Sequence, residues 1–123
     1  MKGGKKKKRM KKSLSSLINK ADTLFSLAVR KRDGCSRKSG NTQNLQCSHI
    51  WSRSNKTIRW DLDNALTLTA GEHLFWWHKE PAEAVLWAKG ILGEVKWNEL
   101  ERKKNAYFKL TREFLEERIK FLE

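Results

Sequence analysis

The stretch 45-LQCSHIWSRSNKTIRWDLDNALTLTAGEHLFWWHKEP-81 decides the fold. Leu45 to Trp51 reads as a short strand, Ser52 to Lys56 as a polar loop and Thr57 to Trp60 as extended chain. Asp61-Leu62-Asp63-Asn64 is turn chemistry, because Asp and Asn side chains bond their own backbone. Ala65 to Thr69 alternates as a second strand, Gly71 to Trp77 reads as helical, and Pro81 suits the first position of another helix. This order of elements seats His49 in the first strand, Asn64 at the opening of the second and His73 at the start of the helix. The spacing is His-x14-Asn-x8-His, with His78 following.

Upstream, Leu14, Leu17, Ile18, Ala21, Leu24, Phe25 and Ala28 recur at three- and four-residue intervals, one stripe of a helix from Ser13 to Arg32. Ser13 suits its N-cap, Asp33-Gly34 stops it, and the polar stretch through Asn44 reads as a loop. Downstream, the helix opened by Pro81 runs to about Leu92, weakened by Gly90 and closed by Gly93. A final amphipathic helix carries Tyr107, Leu110, Phe114, Leu115 and Ile119. The predicted class is α+β: a strand–loop–strand–helix centre with a helix before it and two helices after it, and no internal repeat.

The whole chain has 123 residues, enough for one compact domain and a tail. Lys and Arg number 27 against 14 Asp and Glu, a net +13, while six Trp and five Phe exclude a wholly disordered polycation. Residues 1–12 hold eight of the bases, Lys5, Lys6, Lys7, Lys8 and Arg9 in succession, and no acid. Such an arm is expected to be disordered and to lie along phosphates without sequence preference; the plainer alternatives are a solubilising tail or, in a eukaryotic host, a nuclear address. Residues 13–123 form the single domain with its C-terminal helical extension. No apolar run approaches the ~18 residues of a membrane span, and no signal-peptide core follows the lysines. Cys35 and Cys47 cannot make a disulfide framework. The expectation is a soluble, intracellular protein whose partner is a polyanion, nucleic acid first, with no membrane.

The double spacing match, together with Leu45-Gln46-Cys47-Ser48-His49-Ile50, Arg59-Trp60-Asp61-Leu62-Asp63-Asn64-Ala65-Leu66 and Phe75-Trp76-Trp77-His78, resembles the HNH, or ββα-metal, endonucleases. Among them it is most similar to the NinG (Rap) type of phage recombination protein. Ala21-Asp22-Thr23-Leu24-Phe25-Ser26 and Arg30-Lys31-Arg32-Asp33 resemble the helix leading into that domain. The likeness covers roughly residues 15–90. It implies a metal-dependent DNA endonuclease acting in phage recombination, in the host cytoplasm if phage-encoded. It casts His49 as the general base that activates water, Asn64 as the residue that pins the loop and orients His49, and His73 as ligand to one divalent cation, Mg²⁺ or Mn²⁺. Two alternatives stay open: a catalytically inactive DNA-binding protein of the same fold, and a homing or packaging-associated nicking nuclease.

The chain departs from the family pattern at three places. Ser48 stands before the general base, where many relatives carry Asp or His as a further ligand. His78 follows His73 by five residues, about 140° around an ideal helix, so it is a ligand only if the helix is locally distorted or ends early. Trp77 holds the better-placed position. The two Cys-x-x-Cys pairs that clamp a structural zinc in many relatives correspond here to Cys35 with Lys38 and Thr69 with Glu72, so no structural zinc is expected. Lys38 and Glu72 are offered as an ion pair in its place, and Cys47 as core. Arg53 and Arg59 flank the loop between the strands, either as DNA contacts or as plain surface charge. Trp60, Trp76 and Trp77 read as core packing rather than base-stacking platforms.

Overall fold

The computed structural model describes residues 11–123; the arm's Lys5, Lys6, Lys7, Lys8 and Arg9 lie outside them. Helix α1 (Leu14–Asp33) opens with the Ser13 hydroxyl accepting from the Ser16 amide and ends at Gly34, whose φ of 71° only glycine adopts cheaply. It buries Leu17, Ala21, Phe25 and Val29, one residue per turn. Strands β1 (Leu45–His49) and β2 (Ala65–Thr69) pair antiparallel, Cys47 opposite Thr67 and His49 opposite Ala65. Helix α2 (Ala70–Glu72) runs straight into a π-helical turn, His73–Trp77. Then follow α3 (Pro81–Leu92), α4 (Glu94–Asn105) and α5 (Arg112–Leu122). The class is α+β, as expected, with five helices around a two-stranded hairpin among the described residues.

The hairpin is wedged between two helical layers. On one side Leu17, Ala21, Phe25 and Val29 of α1 and Leu115 and Ile119 of α5 close over Trp60 and Ala65. On the other, Leu66 and Leu68 meet Trp77 and Ala84 and Ala88 of α3. Strand β2 is therefore buried on both faces. Its free edge is covered too: the Thr67 amide donates to Asp33 Oδ2 at 3.0 Å, Arg32 donates to the Ala65 carbonyl at 2.9 Å, and the Arg37 amide to the Thr67 carbonyl at 2.9 Å. This removes the edge that would otherwise template aggregation.

Three expectations need correction. The first strand stops at His49, two residues short of Trp51, because the Asn64 side chain replaces the next ladder partner. Residues 57–60 form successive turns rather than extended chain, with Ile58 donating to the Asn55 carbonyl and Asp61 to that of Ile58, both at 3.1 Å. Three helices, not two, follow the centre. The chain breaks at 106–111, where Thr111 caps α5 by accepting from the Phe114 amide at 3.1 Å, and Tyr107 is 91% exposed in the connector. Among the described residues no helix is long and apolar enough to cross a membrane.

Candidate active site

The strand end, the loop and the π turn converge on a cleft of about 580 Å³. His49, His73 and His78 all line it, with Asp22 and Arg53 at its polar side and Ile50, Trp77 and Val85 among its apolar walls. His49 is half-buried, its ring stacked on Phe25 at 5.1 Å between centroids. Its Nε2 lies 2.9 Å from the Arg59 carbonyl oxygen. A carbonyl only accepts, so the ring proton sits on Nε2 and Nδ1 keeps its lone pair. Burial is the main cause holding the His49 imidazole below the usual histidine range. The Arg59 carbonyl and Asp22 work against it, and the charges of Arg53 and Arg59 work with it.

Asn64 is fully buried and spends every polar atom on the loop. Its Oδ1 accepts from the Trp51 amide at 2.9 Å, and its Nδ2 donates to the Trp51 and Ile58 carbonyls, each at 3.1 Å. The Ile50 amide donates to its main-chain carbonyl at 2.8 Å. One side chain thus sets the path of the chain immediately after His49.

The π turn resolves the five-residue gap. Where an α-helix would carry His78 away from His73, the His78 amide donates to the His73 carbonyl at 3.3 Å, one residue further back than an α-turn. The two rings stand edge-to-face and their Nε2 atoms are 2.8 Å apart. Trp77, at the position an ideal helix would favour, turns inward, 8% exposed, and donates from its indole to the His49 carbonyl at 3.2 Å. Ser48 is buried, with its hydroxyl 2.8 Å from His73 Nδ1, so it orients His73 from behind. Burial first, then the neighbouring His78 and His49, hold His73 below the usual range.

Two imidazole nitrogens so placed fit a shared cation. Ligands each about 2.1 Å from one ion stand about 3 Å apart when roughly at right angles. Among the described residues no group of three or more His, Cys, Asp or Glu side chains converges to hold a metal, so solvent or substrate oxygens would complete the shell.

Arg53 and Arg59 both turn to Asp22 on α1. Arg53 Nη2 and Arg59 Nη2 each reach Asp22 Oδ2 at 2.6 Å, and Trp60 Nε1 donates to Oδ1 at 2.8 Å. Arg53 is 57% exposed at the cleft, whereas Arg59 is 14% exposed and clamps the loop from below. Asp22 is the cleft residue to which pattern reading gave no role. A lone carboxylate set between the buried Ala21 and Phe25 of an amphipathic helix was its only signal.

At positions 35, 38, 69 and 72 the expected Lys38–Glu72 pair does not form. Glu72 takes the Ser36 hydroxyl at 2.5 Å and the Thr69 amide at 2.9 Å, closing a capping box, while Lys38 Nζ lies 4.1 Å over the Trp76 ring. Burial pushes the Cys47 thiol up to about 12, which suits the core role expected of it and not a nucleophile. No protein-family model matches the chain, and no curated protein or solved structure matches it either.

Proposed function

We propose that the chain is a metal-dependent DNA endonuclease of the HNH kind, hydrolysing phosphodiester bonds by nicking or by processing branched DNA, of the phage recombination type. The observation that carries the reading is the contact of His49 Nε2 with the Arg59 carbonyl at 2.9 Å, which assigns the ring proton to Nε2. With Nε2–H tied to the Arg59 carbonyl, Nδ1 keeps a lone pair on a ring that lines the same cleft as the His73–His78 pair. Depressed basicity keeps that lone pair free at neutral pH, the condition for a general base.

In this mechanism His49 Nδ1 takes a proton from the water that attacks phosphorus. The resulting imidazolium keeps its Nε2–H bond to Arg59 and gains from the nearby Asp22 charge. Asn64 holds the Ile50–Ile58 path that aims the ring, and Arg53 meets the phosphate at the cleft mouth. His73 and His78 would hold the divalent cation, which supplies neutralisation of the phosphate and of the leaving oxygen. Imidazole pairs suit first-row transition ions better than oxygen-seeking Mg²⁺, which favours Mn²⁺ of the two.

The rival, a DNA-binding protein of this fold without cleavage, draws on the two-histidine donor set. Cleavage of supercoiled plasmid and of branched DNA, with and without EDTA, separates them. Wild type should nick in an EDTA-sensitive way, and His49→Ala should lose nicking while DNA affinity stays within a few-fold, since a base acts in the chemical step. Equal cleavage by the variant removes the mechanism. Tight DNA binding with no cleavage by wild type installs the rival.

A further inference from the structure

We propose that the C-terminal extension is a second nucleic-acid element: with the loop 52–57 it forms a basic groove that takes the sugar–phosphate backbone of the DNA strand leaving the cleft. The inference rests on the DNA reading above and assigns that substrate a longer footprint.

The groove has a volume of about 480 Å³ and is lined by Lys56 of the loop, Lys104 near the end of α4 and Lys109 of the connector. Ser54, Asn55 and Thr57 add hydroxyl and amide groups, and no carboxylate lines it. Elsewhere on α4 the bases are neutralised: Lys96 by Asp63 at 3.8 Å, Arg102 by Glu99 and Lys103 by Asp61 at 2.9 Å. Among the described residues Lys56, Lys104 and Lys109 have no such partner. Lys104 is nonetheless held in place, its ammonium 3.1 Å from Asn105 Oδ1 and 5.8 Å over the Trp51 ring. Residues 92–123 carry only one more base than acid, so the acid-free groove to which this segment gives Lys104 and Lys109 is a local segregation of charge rather than the average of the segment. Segregation of this kind costs self-repulsion that a polyanion relieves.

Continuity names the polyanion. Ser52 and Arg53 line the His49 cleft, and the next four residues, Ser54 to Thr57, line the groove. A strand whose scissile phosphate sits at His49 crosses this one loop and meets the three lysines next. Phe108, fixed edge-to-face on Phe114 at 4.9 Å, forms part of the groove lining.

The test uses the full chain and fluorescent duplexes, one short enough to fill the cleft alone and one longer. For the longer duplex, Lys56→Ala/Lys104→Ala/Lys109→Ala should reduce the slope of log affinity against log salt by about 0.9 per lysine and weaken binding roughly tenfold. Affinity for the short duplex should match wild type. In parallel, acetylation of wild type in EDTA should show these three lysines protected by the longer duplex, a readout independent of whether the variant folds. Wild-type slope in a folded variant, or undiminished acetylation under bound DNA, overturns the groove. DNA binding with protection but no nicking upholds the groove and sinks only the catalytic reading; no DNA binding by wild type sinks both.

Discussion

Asp22 accepts four hydrogen bonds, from Arg53, from two nitrogens of Arg59 and from the Trp60 indole, and so fixes the loop whose Arg59 carbonyl holds His49. Burial would raise its carboxyl, but the bonds from Arg59, Arg53 and Trp60 outweigh it and hold the group below its ordinary 3.8. A depressed carboxylate contributes stability above the unfolded value and loses it as pH falls through the folded one, so Asp22 adds to acid lability below about pH 4. Asp22→Ala should cost about 2–3 kcal/mol in denaturant unfolding, because it strands a mostly buried guanidinium and an indole N–H. Asp22→Asn, which keeps the shape, should cost less. The base itself sets the pH profile. His49 lies below its ordinary 6.5, so cleavage should rise with pH through a midpoint under that value and stay flat above it, measured as single-turnover rate. A midpoint above 6.5 would mean another group is the base. The histidines and Asn64 were legible in the sequence because their spacing is rigid. Asp22 was not, since a long-range hydrogen bond leaves no periodic trace.

At the scale of the element, the π turn determines which side chains share the cleft. Sequence periodicity placed the helix correctly but assumed 3.6 residues per turn, and a single π turn changes which residues share a face without changing composition. Trp77 reads as the eclipsing partner of His73 on an ideal helix, yet it is the buried one. Exchanging the two, as Trp77→His with His78→Trp, should therefore fail to rebuild a histidine pair. The expected result is loss of Mn²⁺ binding by calorimetry and about 3 kcal/mol of stability, since a core indole is replaced by a smaller polar ring. Retained cation affinity would show that the turn relaxes to an α-helix. The break between α4 and α5 escaped the sequence reading for a similar reason. Tyr107 and Leu110 continue an apolar rhythm, while the Thr111 cap that ends it is a single hydroxyl. In contrast β2 and α3 were readable to the residue, bounded by Asn64 and by Pro81 and Gly93.

Across the whole molecule, two apolar cores share one strand, and the densest block of bases lies at the start of the sequence. Trp60 and Trp77 sit in the two cores, as expected of large aromatics in a small domain, whereas Trp76 is only partly covered, beneath Lys38. Most of the excess charge lies in residues 1–12, so deleting residues 2–12 should weaken DNA binding and flatten its salt dependence by up to about 0.9 for each phosphate released. An unaltered salt slope would make the arm a bystander. The charge layout was legible from composition alone; the partition into two cores was not, because it depends on a strand that serves both. That strand is β2. Its two faces belong to different hydrophobic clusters and its edge is tied to α1, so neither layer can open without releasing it. The domain should accordingly behave as one cooperative unit: the amides of Leu66 and Leu68 should exchange with deuterium only through global unfolding, at the free energy measured by denaturant, while those of α4 exchange earlier through local opening.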